Sequence, residues 1–115
     1  MKLSKAQMDV MNTAKAEIDR ARTMDYPEWL REKNSYYQVP FWADEKLEQS
    51  INERWQKAVA DGCNKEFWDK YRKGLVLTHC NSRTLYKLEE YGLIEIIEDS
   101  KGEAHGLDWV KVLNY

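Results

Sequence analysis

The sequence predicts an α+β fold that is mostly helical and ends in a β-hairpin. Apolar residues recur at three- and four-residue steps over most of residues 4–91, which is typical of helices that bury one face. From residue 93 onward they form one β-rich run and one alternating run, which is typical of strands. Gly62, Gly74 and Gly92 each follow a predicted helix, as expected where a chain leaves a helix.

Length and composition limit the class of protein. The chain has 115 residues, so we expect a single domain over residues 1–115. Five Trp, seven Tyr and two Phe residues indicate a folded core rather than a disordered chain. Two cysteines are too few for a disulfide framework, and no secretory signal or membrane-spanning run is found. We therefore expect a cytoplasmic protein that does not associate with membranes.

The first predicted element is a helix, preceded by Ser4 as its N-cap and running to about Thr23 within residues 1–23. Apolar residues at helical spacing form a stripe along it, which we interpret as the face that packs on the core. The stripe contains Leu3, Met11, Ala14, Ile18 and Ala21.

Residues 24–60 form a helical segment that is rich in aromatic residues. Its first part, residues 24–43, contains both prolines, Pro27 and Pro40, and we interpret it as a connecting segment with a helix stop or restart at Pro27. Asp44 to Ala60 predicts a helix. The aromatic residues belong either to the core, as is usual in a small domain, or to an interaction surface. They include Trp29, Tyr36, Tyr37, Phe41 and Trp42.

Residues 64–115 predict two helices and three extended runs. Asn64 is the expected cap of a short helix through Lys73, and residues 75–77 are expected to be extended. Asn81 or Ser82 caps the next helix, which ends at Tyr91. On this helix Leu85, Leu88 and Tyr91 share one side, and the other side carries Arg83, Tyr86, Lys87 and Glu90. Residues 93–98 and 107–113 then form a hairpin with a polar tip.

Residues 81–95 resemble the recognition helix of winged helix-turn-helix proteins. In that family a Thr-Leu-x-x-Leu-Glu-x-x-Gly-Leu-Ile pattern leads into the first strand of the wing, and Thr84 to Ile94 match it. Small phage and prophage proteins of Gram-positive bacteria are similar over the full length, including the opening Leu3-Ser4-Lys5-Ala6-Gln7. The resemblance implies a winged helix in which residues 64–115 form the helix-turn-helix and wing and residues 24–60 are an insertion.

The resemblance also implies a phage or prophage transcriptional regulator that binds double-stranded DNA in a bacterial host cell. On such a helix, exposed Arg and Lys side chains one turn apart reach phosphates and guanine edges in the major groove. Dimerisation through the aromatic segment or the first helix would strengthen binding, so we expect a homodimer. The candidate DNA-binding residues are Asn81, Ser82, Arg83, Thr84, Tyr86, Lys87, Lys70, Arg72, Lys73 and Lys101.

The distribution of charge leaves a second hypothesis open. Residues 65–87 contain six basic and two acidic residues, whereas residues 89–108 contain seven acidic residues and only Lys101 as a base. A wing that grips phosphates should be basic. The alternative is therefore a phage-encoded module that inhibits a host protein, such as a CRISPR-type defence nuclease, by imitating nucleic acid. Its candidate interface residues are Trp29, Tyr36, Tyr37, Phe41, Trp42, Glu95, Glu98 and Asp99.

No pattern in the sequence predicts catalysis, a cofactor or a metal site. Cys63, His79, Cys80 and His105 lack the paired-ligand spacing of zinc sites. A glycine-rich phosphate loop is also missing, because the five glycines are scattered. We therefore expect that the protein is not an enzyme.

Overall fold

The first helix, α1, covers Lys5–Thr23, and a capping box defines its start. The Ser4 hydroxyl accepts a hydrogen bond from the Gln7 N–H, while the Gln7 side chain accepts one from the Ser4 N–H, at 3.2 and 2.8 Å. Two backbone donors that a helix start leaves unpaired are thus satisfied. The computed structural model describes residues 2–79, 81–98 and 108–115. The predicted stripe is confirmed for Met11, Ala14, Ile18 and Ala21, which are buried, whereas Leu3 precedes the helix and is half-buried.

The insertion contains helix α2 (Tyr26–Lys33), a 3-10 turn (Ser35–Tyr37) and helix α3 (Glu45–Ala60). Asp25 and Asp44 cap the two helices by accepting hydrogen bonds of 2.9 and 2.8 Å from backbone N–H groups. Pro27 lies in the first turn of α2, where a missing N–H leaves no helical bond unmade. Of the two alternatives at Pro27, the structure has the helix restart, one residue before the proline. Residues 24–43 are therefore a connecting segment only outside α2.

Two further helices and three strands complete the chain: α4 (Lys65–Arg72), β1 (Leu75–Thr78), α5 (Ser82–Glu90), β2 (Ile94–Glu98) and β3 (Asp108–Val112). The Asn81 side chain caps α5 by accepting a hydrogen bond of 2.8 Å from the Arg83 N–H. Asn64 does not cap α4 through its side chain, contrary to expectation. Its φ of 57° places it in the left-handed region, whereas a capping residue needs an extended backbone.

The strands form one antiparallel sheet in the order β1-β3-β2. Val76 lies opposite Val110, and Ile94 lies opposite Val112. These four side chains are buried on the same side of the sheet, so the predicted hairpin presents one apolar face to the core. An irregularity in β2 between Ile96 and Glu98 shifts the register with β3.

The buried residues form two clusters. The first joins α1, α5 and the inner face of the sheet, and we call this part of the molecule the sheet end; it contains Met11, Ala14, Ile18, Val76, Leu85, Leu88, Ile94, Val110 and Val112. The second joins the last turn of α1 to the insertion, and we call this part the helical end; it contains Ala21, Tyr26, Trp29, Leu30, Tyr37 and Ala58. Tyr71 of α4 packs against both clusters. The molecule measures 53 × 26 × 24 Å.

The architecture is α+β and mostly helical, as predicted, and it is compatible with a winged helix. One difference concerns the predicted helix-turn-helix pair over residues 64–91. Strand β1 lies between α4 and α5, and the elements packed on α5 are α1 and β2. Among the described helices, none has the length and apolar character that crossing a membrane requires.

Candidate nucleic-acid interface

Helix α5 is anchored to the sheet end by two leucines. Leu85 and Leu88 are one turn apart and retain 1% and 0% of their exposure, because both project into the first cluster. This confirms the predicted packing side of the helix for these two residues. Tyr91, which was expected on the same side, is 39% exposed at the C-cap, so the buried stripe ends one turn earlier than predicted.

The outward side of α5 carries Arg83, Tyr86, Lys87 and Glu90, all of them exposed. Lys87 Nζ lies 3.3 Å from Glu90 Oε2 in an ion pair within the helix. Within the described part of the chain, the Arg83 guanidinium has no ion-pair partner. Arg83 is therefore the cation on this side whose charge is available to an incoming phosphate or base.

The start of α5 follows the end of the sheet at which β1 and β2 finish and β3 begins. Thr78 ends β1 opposite Asp108, where β3 begins, and β2 ends at Glu98 beside that point. Because α5 begins only four residues after Thr78, its first turn lies near this end of the strands. Asn81 and Ser82 are exposed there, and Thr84 is half-buried.

Two basic residues of α4, which the sequence grouped with Arg83 and Lys87, pack on aromatic rings. Lys70 lies 4.5 Å above the Trp109 ring and 3.2 Å from Glu66. Trp109 is next to the buried Val110, so it faces the side of the sheet opposite to α5. Arg72 lies 4.5 Å from the centre of the Trp68 ring.

Lys73 is the C-cap of α4 and precedes Gly74. The Gly74 carbonyl accepts a hydrogen bond from the Val112 N–H, at the opposite end of the strands. Helix α4 packs on α1, α2 and β1, and Lys70 and Arg72 stack on aromatic rings rather than beside Arg83. Lys73 is exposed, and the grouping of these cations with Arg83 in one DNA-binding surface stays a prediction. Lys101 lies outside the described residues.

The acidic candidates of the alternative interface are described only in part. Glu95 is exposed and lies opposite Lys111 in the register of β2 and β3. The side chain of Glu98 and the whole of Asp99 lie outside the described residues.

The aromatic candidates divide between core and surface. Trp29 and Tyr37 are buried, with 3% and 9% of their surface exposed, so assigning them to an interface was wrong. The Trp29 ring meets the Tyr71 ring edge-on, at 6.0 Å between centroids. Tyr36, Phe41 and Trp42 instead remain 59%, 101% and 68% exposed. They lie at the helical end, away from α5.

The tyrosines whose pKa is raised lie in packing contacts and not on the outward side of α5. Burial is the main cause that raises the pKa of Tyr26, Tyr37 and Tyr71. A hydrogen bond to the Asp19 carboxylate is the main cause that raises the pKa of Tyr115. Such shifts keep the hydroxyl groups protonated and do not create a nucleophile or a general base.

Among the described residues, no three His, Cys, Asp or Glu side chains come together as a group that could hold a metal ion. Cys80 and His105 lie outside that part of the chain. Comparison with protein families, with curated proteins and with solved structures found no match to this chain.

Proposed function

We propose that the protein binds duplex DNA through the first half of α5 and acts as a phage-type transcriptional regulator. The observation that carries this proposal is the position of Arg83, which is exposed, has no ion-pair partner among the described residues and lies on a helix anchored by Leu85 and Leu88. A rigid helix that presents an unpaired guanidinium fits the major groove of B-DNA.

Each residue at the start of α5 has a distinct role in this proposal. Arg83 supplies two parallel N–H donors to guanine or to a phosphate. Lys87 exchanges Glu90 for a phosphate when DNA arrives, since their exposed ion pair contributes little. The exposed Ser82 hydroxyl and the backbone of the first turn, where the helix dipole is positive, add phosphate contacts.

The salt dependence of binding tests the number of contacts. Two cations that neutralise two phosphates give a slope of log K against log salt of about −2. We expect a single copy to bind a mixed-sequence duplex weakly and best at low salt, because the chain carries a net charge of −2 and repels DNA elsewhere.

The experiment is a fluorescence-anisotropy titration of a labelled duplex at several salt concentrations. Arg83→Ala combined with Lys87→Ala should lower the affinity and flatten the salt slope. Lys57→Ala is a matched control, because Lys57 is also exposed and paired within its helix, with Asp61 at 3.2 Å, but lies on α3 at the helical end. Absence of binding at the lowest salt, or an equal loss with Lys57→Ala, would refute the proposal.

Two described acidic residues of the sheet end, Glu95 and Glu89, do not favour the alternative of nucleic-acid mimicry. Glu95 lies opposite the basic Lys111 in the register of β2 and β3, and Glu89 accepts a hydrogen bond from the Ile96 N–H. Mimicry needs a row of uncompensated carboxylates at phosphate-like spacing. A charge reversal at Glu95 is therefore expected to leave any protein partner of this chain bound.

A further inference from the structure

The helical end carries an exposed apolar surface that nothing in the proposed DNA contact uses. It consists of Tyr36, Val39, Phe41 and Trp42, which are 59%, 36%, 101% and 68% exposed. We call these four residues the aromatic patch. The three aromatic side chains alone expose about 350–550 Å², given that one buries about 150–250 Å² when fully covered. This is already the size of the largest apolar patch on a typical monomer.

The aromatic patch is held in place by a turn. The Ala43 N–H donates a hydrogen bond of 3.0 Å to the Pro40 carbonyl, so Phe41 and Trp42 occupy the two central positions of a β-turn. Pro40 fixes its own φ. The turn therefore holds Phe41 and Trp42 in contact with solvent, although folding them inward would remove apolar surface from water.

The chain before this turn is also tied to the insertion. The Gln38 side-chain amide donates to the carbonyls of Arg31 and Glu32 at 3.1 and 2.9 Å, and the Arg31 Nε–H donates to the Tyr37 carbonyl at 2.8 Å. These bonds attach the segment to the last turn of α2. A surface that is ordered before it meets a partner loses little conformational entropy on binding.

A groove of about 430 Å³ lies beside the turn. Apolar side chains form most of its wall: Tyr36, Val39, Pro40, Trp42, Leu47 and Ile51. Arg54 lies at its side, 4.2 Å from the centre of the Tyr36 ring. Phe41 is not part of the wall and projects from the same turn that supplies Pro40 and Trp42. One surface therefore carries both an apolar projection and an apolar groove that can accept it.

From this juxtaposition we propose that the aromatic patch joins two copies of the chain in a symmetric dimer, with Phe41 of each copy seated in the groove of the other. A twofold interface uses the same surface on both subunits, so that surface must fit itself. A projection beside a shallow apolar groove meets this condition.

The area is consistent with this partner. Two copies of the three aromatic residues contribute about 700–1,100 Å², and specific interfaces begin at about 1,200 Å² in total. Val39, the half-buried Leu47 and the residues around the groove supply the remainder. Ser35, Gln38 and Arg54 lie around the groove and form the polar rim that such interfaces have. The dimer leaves α5 accessible, since the patch lies at the helical end.

Sedimentation equilibrium of the full chain over a wide range of concentrations tests the proposal. We expect a monomer–dimer equilibrium, with Phe41→Ser and Trp42→Ser each weakening the dimer by at least about 30-fold, the effect of losing an interface hot spot. Ile97→Ser is the matched control, because Ile97 is 52% exposed in β2 at the sheet end; it should dimerise as the wild type does. A chain that is monomeric throughout, or a dimer insensitive to Phe41→Ser, would overturn the proposal.

A photo-crosslinker identifies the neighbour of position 41 and excludes other arrangements. Benzoylphenylalanine replaces Phe41 and keeps an aromatic side chain, and isotopically labelled and unlabelled copies are mixed before irradiation. Cross-links between the two isotopic forms that reach residues 47–54 are expected. Cross-links within one copy only would contradict the proposed position of Phe41. Cross-links between copies that reach only α5 would contradict it as well. Capture of a foreign protein by the patch while the chain stays monomeric contradicts it equally. DNA binding by Arg83 is measured separately, so either proposal can fail alone.

Discussion

The carboxylate of Glu89 accepts a hydrogen bond of 2.8 Å from the backbone N–H of Ile96. It connects the end of α5 to the point where β2 departs from its regular register with β3. Strand β2 is at the edge of the sheet, where outward N–H groups have no ladder partner, and here a side chain from the neighbouring helix supplies one. The orientation of α5 relative to the hairpin therefore depends on this bond as well as on the leucines.

Removing this carboxylate should destabilise the fold. We expect Glu89→Ala to lower the free energy of unfolding by about 0.5–1.5 kcal/mol, the net contribution of a typical hydrogen bond, because the Ile96 N–H loses its protein partner. Glu90→Ala is the control at the adjacent position, since Glu90 makes only the exposed ion pair with Lys87 and should cost less than about 0.5 kcal/mol. Urea unfolding followed by far-UV circular dichroism measures both values. Equal losses in the two variants would contradict this account of the bond.

Trp109 is expected to be a main packing residue on the outer face of the sheet. Its ring stacks on Phe67 with 5.6 Å between centroids and 21° between planes. Truncation by Trp109→Ala should cost about 3 kcal/mol, since a large aromatic side chain leaves a cavity. Trp42→Ala is the control, because Trp42 is 68% exposed and its loss should cost less than about 0.5 kcal/mol. Denaturation at a concentration where the wild type sediments as a monomer compares the two.

Arg31 joins α2, the 3-10 turn and α3. Its guanidinium lies 4.0 Å from the centre of the Trp55 ring, and it also donates hydrogen bonds to the Tyr37 carbonyl and the Asn52 side chain. A lysine cannot stack flat on an indole and donate in two fixed directions, so Arg31→Lys should cost about 1–2 kcal/mol.

The same replacement elsewhere is the control for Arg31. Arg20 is exposed and makes ion pairs with Glu17 and Glu32 at 3.2 and 3.6 Å, so Arg20→Lys should change the stability by less than about 0.5 kcal/mol. Thermal unfolding of the two variants in parallel gives the comparison. If Arg31→Lys were as stable as Arg20→Lys, the stacking on Trp55 would not contribute to the fold.

Tyr71 should make the stability fall in alkaline solution. Burial, followed by the charge of Glu17, raises the pKa of its hydroxyl above the ordinary 10.0, while the Leu77 N–H opposes the shift. Because the folded pKa exceeds the unfolded one, the folded chain holds the proton longer. Its stability is therefore full below about pH 10 and decreases as the pH rises above that value.

Urea midpoints between pH 8 and 11 test this prediction for Tyr71. Tyr71→Phe removes the titrating group and should give a flatter dependence on pH than the wild type. Tyr91→Phe removes an exposed hydroxyl and should retain the wild-type slope. A Tyr71→Phe variant whose stability falls as steeply as that of the wild type would show that other groups cause the alkaline loss.

The elements themselves were largely predictable from the sequence. The start of α1 at Ser4, the helix after Asp44, the cap at Asn81 and the hairpin all depend on residues a few positions apart, and the structure has them where the patterns indicated. Asn64 is an exception, because its left-handed backbone is part of the connection between α3 and α4. DNA binding and the resemblance to winged-helix phage proteins stay predictions.

The sequence by itself determined the α+β class and the elements, because periodicity, caps and turn residues act locally. The side chains that share a surface were decided only by the tertiary structure. Trp29 and Tyr37 enter the core while Phe41 and Trp42 remain outside, although all four are aromatic residues of one segment. Likewise Lys70 and Arg72 of α4 stack on aromatic rings rather than beside Arg83. These outcomes depend on contacts between residues far apart in the chain, which no local pattern records.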